Sequence, residues 1–343
     1  MTQSSNYDLL SAKISKLKRR PTVEGVFTLW HDEVSAVLEK STANKINKIF
    51  TTHVLTEDRE NIRIDKLTPL LTQKIFLDKA LSEQKYTTVC NICTQLSAMC
   101  NFAVASGIIT ANPLSTIKDL PQVRKAFKEA ERNQTHRCSF PCDRIDSSIK
   151  RLFKDYQLFE NTRCRILLEL SFHLLLRPGE MVQITRNGCN YAKHELAIQH
   201  TKTFKEFYIP LNNTIAELLQ LAERHCGNGI YVFGSPQNKV KPNAHLSAQV
   251  MNSSLKRCGY QGKLHAHGIR GTFSTWASMH PNKIDYISKE AMLQHLVTGK
   301  VERAYRHDRH FFAYRKKSHR IWSEYLVKTI GDNSVLRDLT LVN

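Results

Sequence analysis

The sequence has no run of about 20 apolar residues that could cross a bilayer, and no apolar signal-type segment at its start. Membrane residence and export are therefore not expected. The nine cysteines, an odd number, read as reduced thiols of a cytoplasmic protein. No glycine-rich loop precedes a Lys and Ser/Thr, so nucleotide hydrolysis has no phosphate cradle. No carboxylate cluster offers itself to Mg²⁺. Cys90, Cys93 and Cys100 share one helix face and read as core thiols, while Cys138 and Cys142 lack partners at zinc-ligand spacing. No metal and no cofactor is expected. Neither an internal repeat nor a low-complexity stretch interrupts the chain.

Acidic residues are also in short supply. Asp and Glu number 31 against 50 Lys and Arg, a formal net charge of +19 over 343 residues. Such an excess repels itself unless a polyanion uses it, and nucleic acid is the commonest polyanion. The basic residues are spread along the chain, which favours a folded surface on DNA over a disordered arm. With 41% apolar residues the chain has enough to fill real cores, and its length suits two domains.

Residues 1–21 form a basic leader, flexible or partly helical, ending at Pro21. Residues 22–115 carry apolar residues at helical spacing. One helix runs from Thr22 to Lys40, Ser41 caps a second, Thr68-Pro69 opens a third and Thr87 a fourth that stops at Gly107. This is a small all-α domain. Residues 116–141, charged and closing with Ser139-Phe140-Pro141, read as an interdomain linker. Residues 142–330 form a larger unit. Its helices are expected near Asp143–Phe153, Thr162–Leu176, Thr214–His225, Leu246–Cys258, Gly268–Ser278, Lys283–Leu293, Val301–Tyr305 and Phe311–Lys328. A hairpin pairs Glu195–His200 with Glu206–Leu211. The fold class is thus mainly α with a small β-sheet. The tail, residues 331–343, has apolar Val335, Leu336, Leu339, Leu341 and Val342, and the sequence does not choose between packing in cis and on a neighbouring protomer.

Four local signals follow one another in the larger unit. Arg177 ends an apolar helix at a Pro178-Gly179 turn, where its planar fork can meet a phosphate. Lys202 sits at the hairpin tip, placed to give a proton to a leaving oxygen. His267 and Arg270 share one face of a helix start, whose free N–H groups favour an anion. His295 precedes Tyr305. Each has a plain explanation by itself: a surface Arg, a solvated Lys, a core or interface Tyr.

Their order is specific. Arg, Lys, His-x-x-Arg, His, Tyr resembles the active-site pattern of the tyrosine recombinases, the phage integrase family. The box HGIRGTFSTWASMH (His267–His280) and the helix RIWSEYL (Arg320–Leu326) are most similar to prophage and genomic-island integrases. The stretch FAVASGIITANPL (Phe102–Leu114) resembles the end of that family's SAM-like core-binding domain. The likeness covers about residues 22–328. It implies a helical core-binding domain over 22–115 and a mixed α/β catalytic domain over 142–330, closing as a C-shaped clamp around DNA. It implies catalytic roles for Arg177, Lys202, His267, Arg270, His295 and Tyr305, the last as nucleophile. Tyr314 lies close by, but Ala304-Tyr305 fits the family box better.

The implied function is site-specific recombination: DNA is cut and rejoined through a 3′-phosphotyrosine link and a Holliday junction, integrating or excising a mobile element. The implied partners are duplex DNA at recombination sites, a homo-tetramer on it, and an accessory DNA-bending or directionality factor in a bacterial nucleoid. The first helical unit starts by residue 22, so the arm-binding domain carried by many relatives is expected to be lacking. Alternatives are a catalytically silent DNA-binding regulator of this fold, a type IB topoisomerase-like enzyme, and a structural nucleoid protein.

Overall fold

The computed structural model describes residues 2–56, 59, 61–132, 138–199, 201, 206–226, 229–235, 244–295 and 311–340. The chain divides into two compact units, Met1–Thr135 and His136–Asn343.

Among its described residues the first unit is built of helices, with one isolated antiparallel bridge between Thr22 and Arg63. Helix α1 (Thr2–Arg19) ends in Lys16, Lys18 and Arg19, and its Ile14 and Leu17 pack against the core. Helix α2 (Val23–Val37) starts at Thr22, whose hydroxyl accepts from the Gly25 N–H at 3.2 Å. Helix α3 (Lys40–His53) begins one residue before Ser41, with Glu39 at the cap position, so Ser41 lies inside the helix and does not cap it. Phe27 and Phe50 stack at 4.3 Å between these helices. Helices α4 (Pro69–Thr72) and α5 (Asp78–Ser82) flank a π-helical turn over Gln73–Leu77.

Helix α6 (Tyr86–Ala105) is the centre of the unit. By length and composition it could cross a membrane, against the sequence expectation. Its buried face, with Val89, Ile92, Cys93, Leu96, Met99, Cys100 and Ala103, is instead the core of this unit. Burial pushes the Cys93 and Cys100 thiols up to about 12. The start of the expected linker is structured. Helix α7 (Pro121–Arg132) buries Val123 and Ala126 and packs on α6, because its apolar residues fall on one stripe of an otherwise charged helix.

The second unit is built around α9 (Thr162–Leu174), buried on almost every side. Around it lie α8 (Ile145–Phe159), α10 (Pro178–Val182), α11 (Asn213–His225), α12 (Val250–Arg257), α13 (Gly268–Met279), α14 (Tyr286–Met292), α15 (Phe312–Ile330) and α16 (Val335–Thr340). A three-stranded antiparallel sheet has the order β1 (Cys189–Asn190), β2 (Glu195–Gln199), β3 (Glu206–Pro210). In the β2–β3 pair, Leu196 faces Ile209 and Ile198 faces Phe207, and all four are buried. Among the described residues the architecture is mainly helical with one small sheet.

Two helix starts move from where the sequence placed them. Helix α14 begins at Tyr286 because Asp285 accepts from the Ser288 N–H at 2.9 Å and caps it there. Helix α12 begins at Val250, after a turn over Ser247–Gln249. Helix α9 stops at Leu174 because Leu175 turns left-handed, with φ 55°.

The described part of the tail, residues 331–340, lies against α9. Glu169, on α9, accepts from the Ser334 hydroxyl at 2.6 Å and the Val335 N–H at 2.8 Å. Helix α15 is fixed by Trp322, fully buried, whose indole N–H donates to the Phe172 carbonyl at 2.7 Å. Phe273 and Trp276 pack on the same indole.

Candidate active site

The C-terminal ends of α9 and α14 deliver the site. Leu175 and Gln294 both adopt φ 55°. A leucine in that region costs roughly 1–2 kcal/mol against the right-handed alternative. Burial of Leu175 and Leu176 holds the turn. It leads directly to Arg177, the N-cap of α10, where Pro178 fixes the first helical φ. The Glu180 carboxylate closes this turn, accepting from the Arg177 backbone N–H at 3.0 Å and from its Nη1 at 2.9 Å.

Arg270 stands in the first turn of α13 and is 4% exposed. Its Nη1 donates to the Leu175 carbonyl and its Nη2 to the Leu293 carbonyl. One guanidinium therefore ties together the two helix ends that carry Arg177 and His295, at the negative ends of both helix dipoles. Burial first, then the positive charge of Arg177, brings the Arg270 pKa down to about 10. It stays charged at pH 7, but two neighbouring cations in a water-poor place repel each other. The carboxylates of Glu180 and Glu290 act against that repulsion.

His267 is partly buried at the N-cap of α13, one helical turn before Arg270, and its backbone N–H donates to His265 Nδ1 at 3.1 Å. His295 is about half exposed. Its Nδ1 lies 2.6 Å from Glu290 Oε2. A carboxylate only accepts, so this contact places the proton on Nδ1 and leaves Nε2 for another partner.

The structure thus gathers Arg177, Arg270 and His295 through the backbone at 175–177 and 293–295, with His267 on the same helix start as Arg270. Lys202 and Tyr305 lie outside the described residues. Tyr314, the other tyrosine weighed from sequence, is exposed on α15. Three side chains of this neighbourhood escaped the sequence reading: Glu180, Glu290 and Gln294. Glu180 had a signal, since it occupies the third helical position where a carboxylate caps. Glu290, five residues before His295, and Gln294 had none. Among the described residues no group of three or more His, Cys, Asp or Glu side chains is arranged to hold a metal ion.

The phage integrase family model matches residues 146–310, a span that contains Tyr305 and stops short of Tyr314. The prophage integrase IntA of Escherichia coli is 25% identical over 253 residues, covering 73% of this chain and 56% of that protein. A tyrosine recombinase of Pseudothermotoga lettingae is 25% identical over 203 residues, covering 57% of this chain and 64% of that one. The chain thus spans less than two thirds of the length of either relative. Among solved structures, a lambda integrase dimer bound to a COC' core site has TM-score 0.58 at 17% identity, covering 84% of this chain and 78% of that one. A lambda integrase tetramer bound to a Holliday junction has TM-score 0.60 at 14% identity, with the same coverage. These two likenesses establish a shared fold. Taken with the family match, they lead to one assignment: residues 146–310 belong to the phage integrase family, the tyrosine recombinases.

Proposed function

We propose that this chain is a site-specific DNA recombinase that integrates or excises a mobile element. The observation that carries the reading is the convergence of Arg177 and Arg270, bridged through two helix ends with His295 beside them. Two guanidinium groups neutralise a scissile phosphodiester and hold the added charge of its five-coordinate transition state. Tyr305 is the nucleophile. Free tyrosine has a pKa of about 10, so its proton must leave as its oxygen attacks phosphorus, and His267 is the group assigned to handle it. The bond from phosphorus to the 5′ oxygen breaks, and Lys202 supplies the proton that makes a 5′-hydroxyl. His295 braces a phosphate oxygen through Nε2. The products are a 3′-phosphotyrosine and a free 5′-OH. The ester keeps the energy of the broken bond, so rejoining requires no nucleotide.

Residues 22–115 are assigned the core-binding role and the second unit the catalytic one. The partner is duplex DNA, gripped mostly through phosphates and hence with steeply salt-dependent affinity. Lambda integrase has been solved as a dimer on a core site and as a tetramer on a Holliday junction. The same assembly, with strands exchanged in pairs, is proposed here, with an accessory DNA-bending factor as a further partner.

The test uses nicked suicide duplexes with a randomised centre, incubated with the full chain and chelator. Covalent protein–DNA adducts are recovered from a denaturing gel and sequenced. A 3′ adduct that disappears in Tyr305→Phe is expected. Tight binding without any adduct would instead mark a silent regulator, and an adduct that persists in Tyr305→Phe would move the nucleophile to Tyr314.

A further inference from the structure

Gln294 carries two costs at once. Its backbone is left-handed at φ 55°, a region that suits Gly or Asn far better than a residue with a long side chain. Its side chain is buried, 1% exposed, and its Nε2 has no hydrogen-bond partner among the described residues. Against these stands one short contact: Oε1 accepts from Arg177 Nη1 at 2.5 Å. The chemistry settles which end of the amide faces the arginine, since a guanidinium donates and cannot accept.

The same nitrogen, Nη1, also donates to Glu180 Oε1 at 2.9 Å. The two acceptors differ in kind. Glu180 sits within the Arg177 turn and brings a negative charge. Gln294 comes from the end of α14, 117 positions away in sequence, and brings none. A second carboxylate there would fix the guanidinium equally well but cancel the charge that a phosphate needs. A neutral amide oxygen fixes its direction and leaves its charge in place.

Resting on the recombinase reading above, we infer that Gln294 is a positioning residue for Arg177. It locks one edge of the guanidinium to the helix end that presents His295. The groups proposed to hold the phosphate are then set relative to one another before DNA arrives. Arg270 joins the two helix ends through their carbonyls, and Gln294 joins them through a side chain. Arg270 is proposed to meet the phosphate itself, whereas Gln294 acts through Arg177.

The test is single-turnover cleavage of a suicide duplex by the full chain, read beside DNA affinity and thermal midpoint. Gln294→Gly removes the acceptor and relieves the left-handed backbone, and the thermal midpoint reads any loss from the volume it empties. Its cleavage rate is expected to drop ~10- to 100-fold, the usual result of a slightly misplaced catalytic group. Its affinity should stay within about threefold, because binding rests on many phosphate contacts. In an Arg177→Ala background, where residual adduct is collected over hours, Gln294→Gly should cost nothing more. Gln294→Gly cleaving at the wild-type rate overturns the inference, and so does a further full loss in the Arg177→Ala background. If wild type itself forms no adduct, the recombinase reading falls and takes this inference with it. An active wild type matched by Gln294→Gly removes the positioning role alone.

Discussion

The two units fill their interiors in different ways. Among the described residues of the first, the buried polar side chains are Thr72 and Gln73, and the rest of the core is apolar. The second buries Glu169, His173, Arg270, Gln294, Arg315 and His319 as well as several hydroxyls. Taking a charge or an amide out of water costs several kcal/mol unless partners replace that water. An apolar core holds a shape and is indifferent to which face carries chemistry. A core with polar groups locks particular atoms together, and here it locks the two helix ends of the candidate site.

Paired substitutions sharpen this contrast, and the largest effect is expected at Arg270. Arg270→Ala removes a proposed phosphate clamp and orphans the Leu175 and Leu293 carbonyls together. Adduct formation should fall by ~10²–10³ or more, with a lower melting temperature. Phe50→Ala removes a fully buried ring from the first core. It should cost about 3–5 kcal/mol of stability and weaken DNA binding, while the cleavage rate at saturating protein stays near wild type. Equal losses of saturating rate in both variants would erase the division between a scaffold core and a working core.

Acid should divide the units next. His173 and His319 are fully buried, and burial brings both down to about 3, with Arg315 adding to the effect at His319. The folded chain keeps them neutral, while the unfolded chain protonates them from its ordinary value of 6.5 downward. Stability is therefore complete above pH 6.5 and lost as pH falls toward 3, by up to about 1.4 kcal/mol per pH unit for each histidine. Glu169 works the other way, since burial raises its carboxyl and its protonation favours the folded state. The first unit has no buried histidine among its described residues. Hydrogen exchange from pH 7 to 5 should show the second unit loosening first, and His319→Phe should flatten that response. A first unit that loosens at the same rate would show that the acid effect arises elsewhere.

Period and chemistry explain which parts were legible from sequence. Strongly periodic segments such as α6, α9 and the β2–β3 hairpin emerged with ends close to their observed places, because one buried stripe or one alternating face dictates each. Strand β1 is two residues long and has no period to detect. The π-turn over Gln73–Leu77 keeps a helical pattern in sequence while changing the backbone. Helix α7 was hidden by charge, since Val123 and Ala126 are a thin stripe on a basic helix. In the site, Arg177, Arg270 and His295 stood out because, together with Lys202, His267 and Tyr305, their order resembles the active-site pattern of the tyrosine recombinases. Gln294 did not. An amide next to a histidine is common in any sequence, and its meaning lies in a left-handed φ and a contact across 117 positions.

The smallest expected effect lies at the edge of the second unit, where the tail joins it. Asp338 accepts from Arg165 Nη2 at 2.5 Å and from Gln157 Nε2 at 3.0 Å. The pair is partly exposed, with 13% of the Arg165 side chain and 30% of the Asp338 side chain open to solvent. A bridge of that kind contributes at most about 1 kcal/mol. Glu169 and the buried Val335 hold the other end of the segment. Asp338→Asn should therefore leave the global melting temperature unchanged and raise amide exchange over residues 335–340 several-fold. Glu169→Gln should raise it further, because Glu169 accepts from two donors at the point where the tail enters the core. If Asp338→Asn exchanges like wild type, the ion pair follows the docking of the tail and does not cause it, and the burial of Val335 with its N–H bonded to Glu169 is enough to hold the segment.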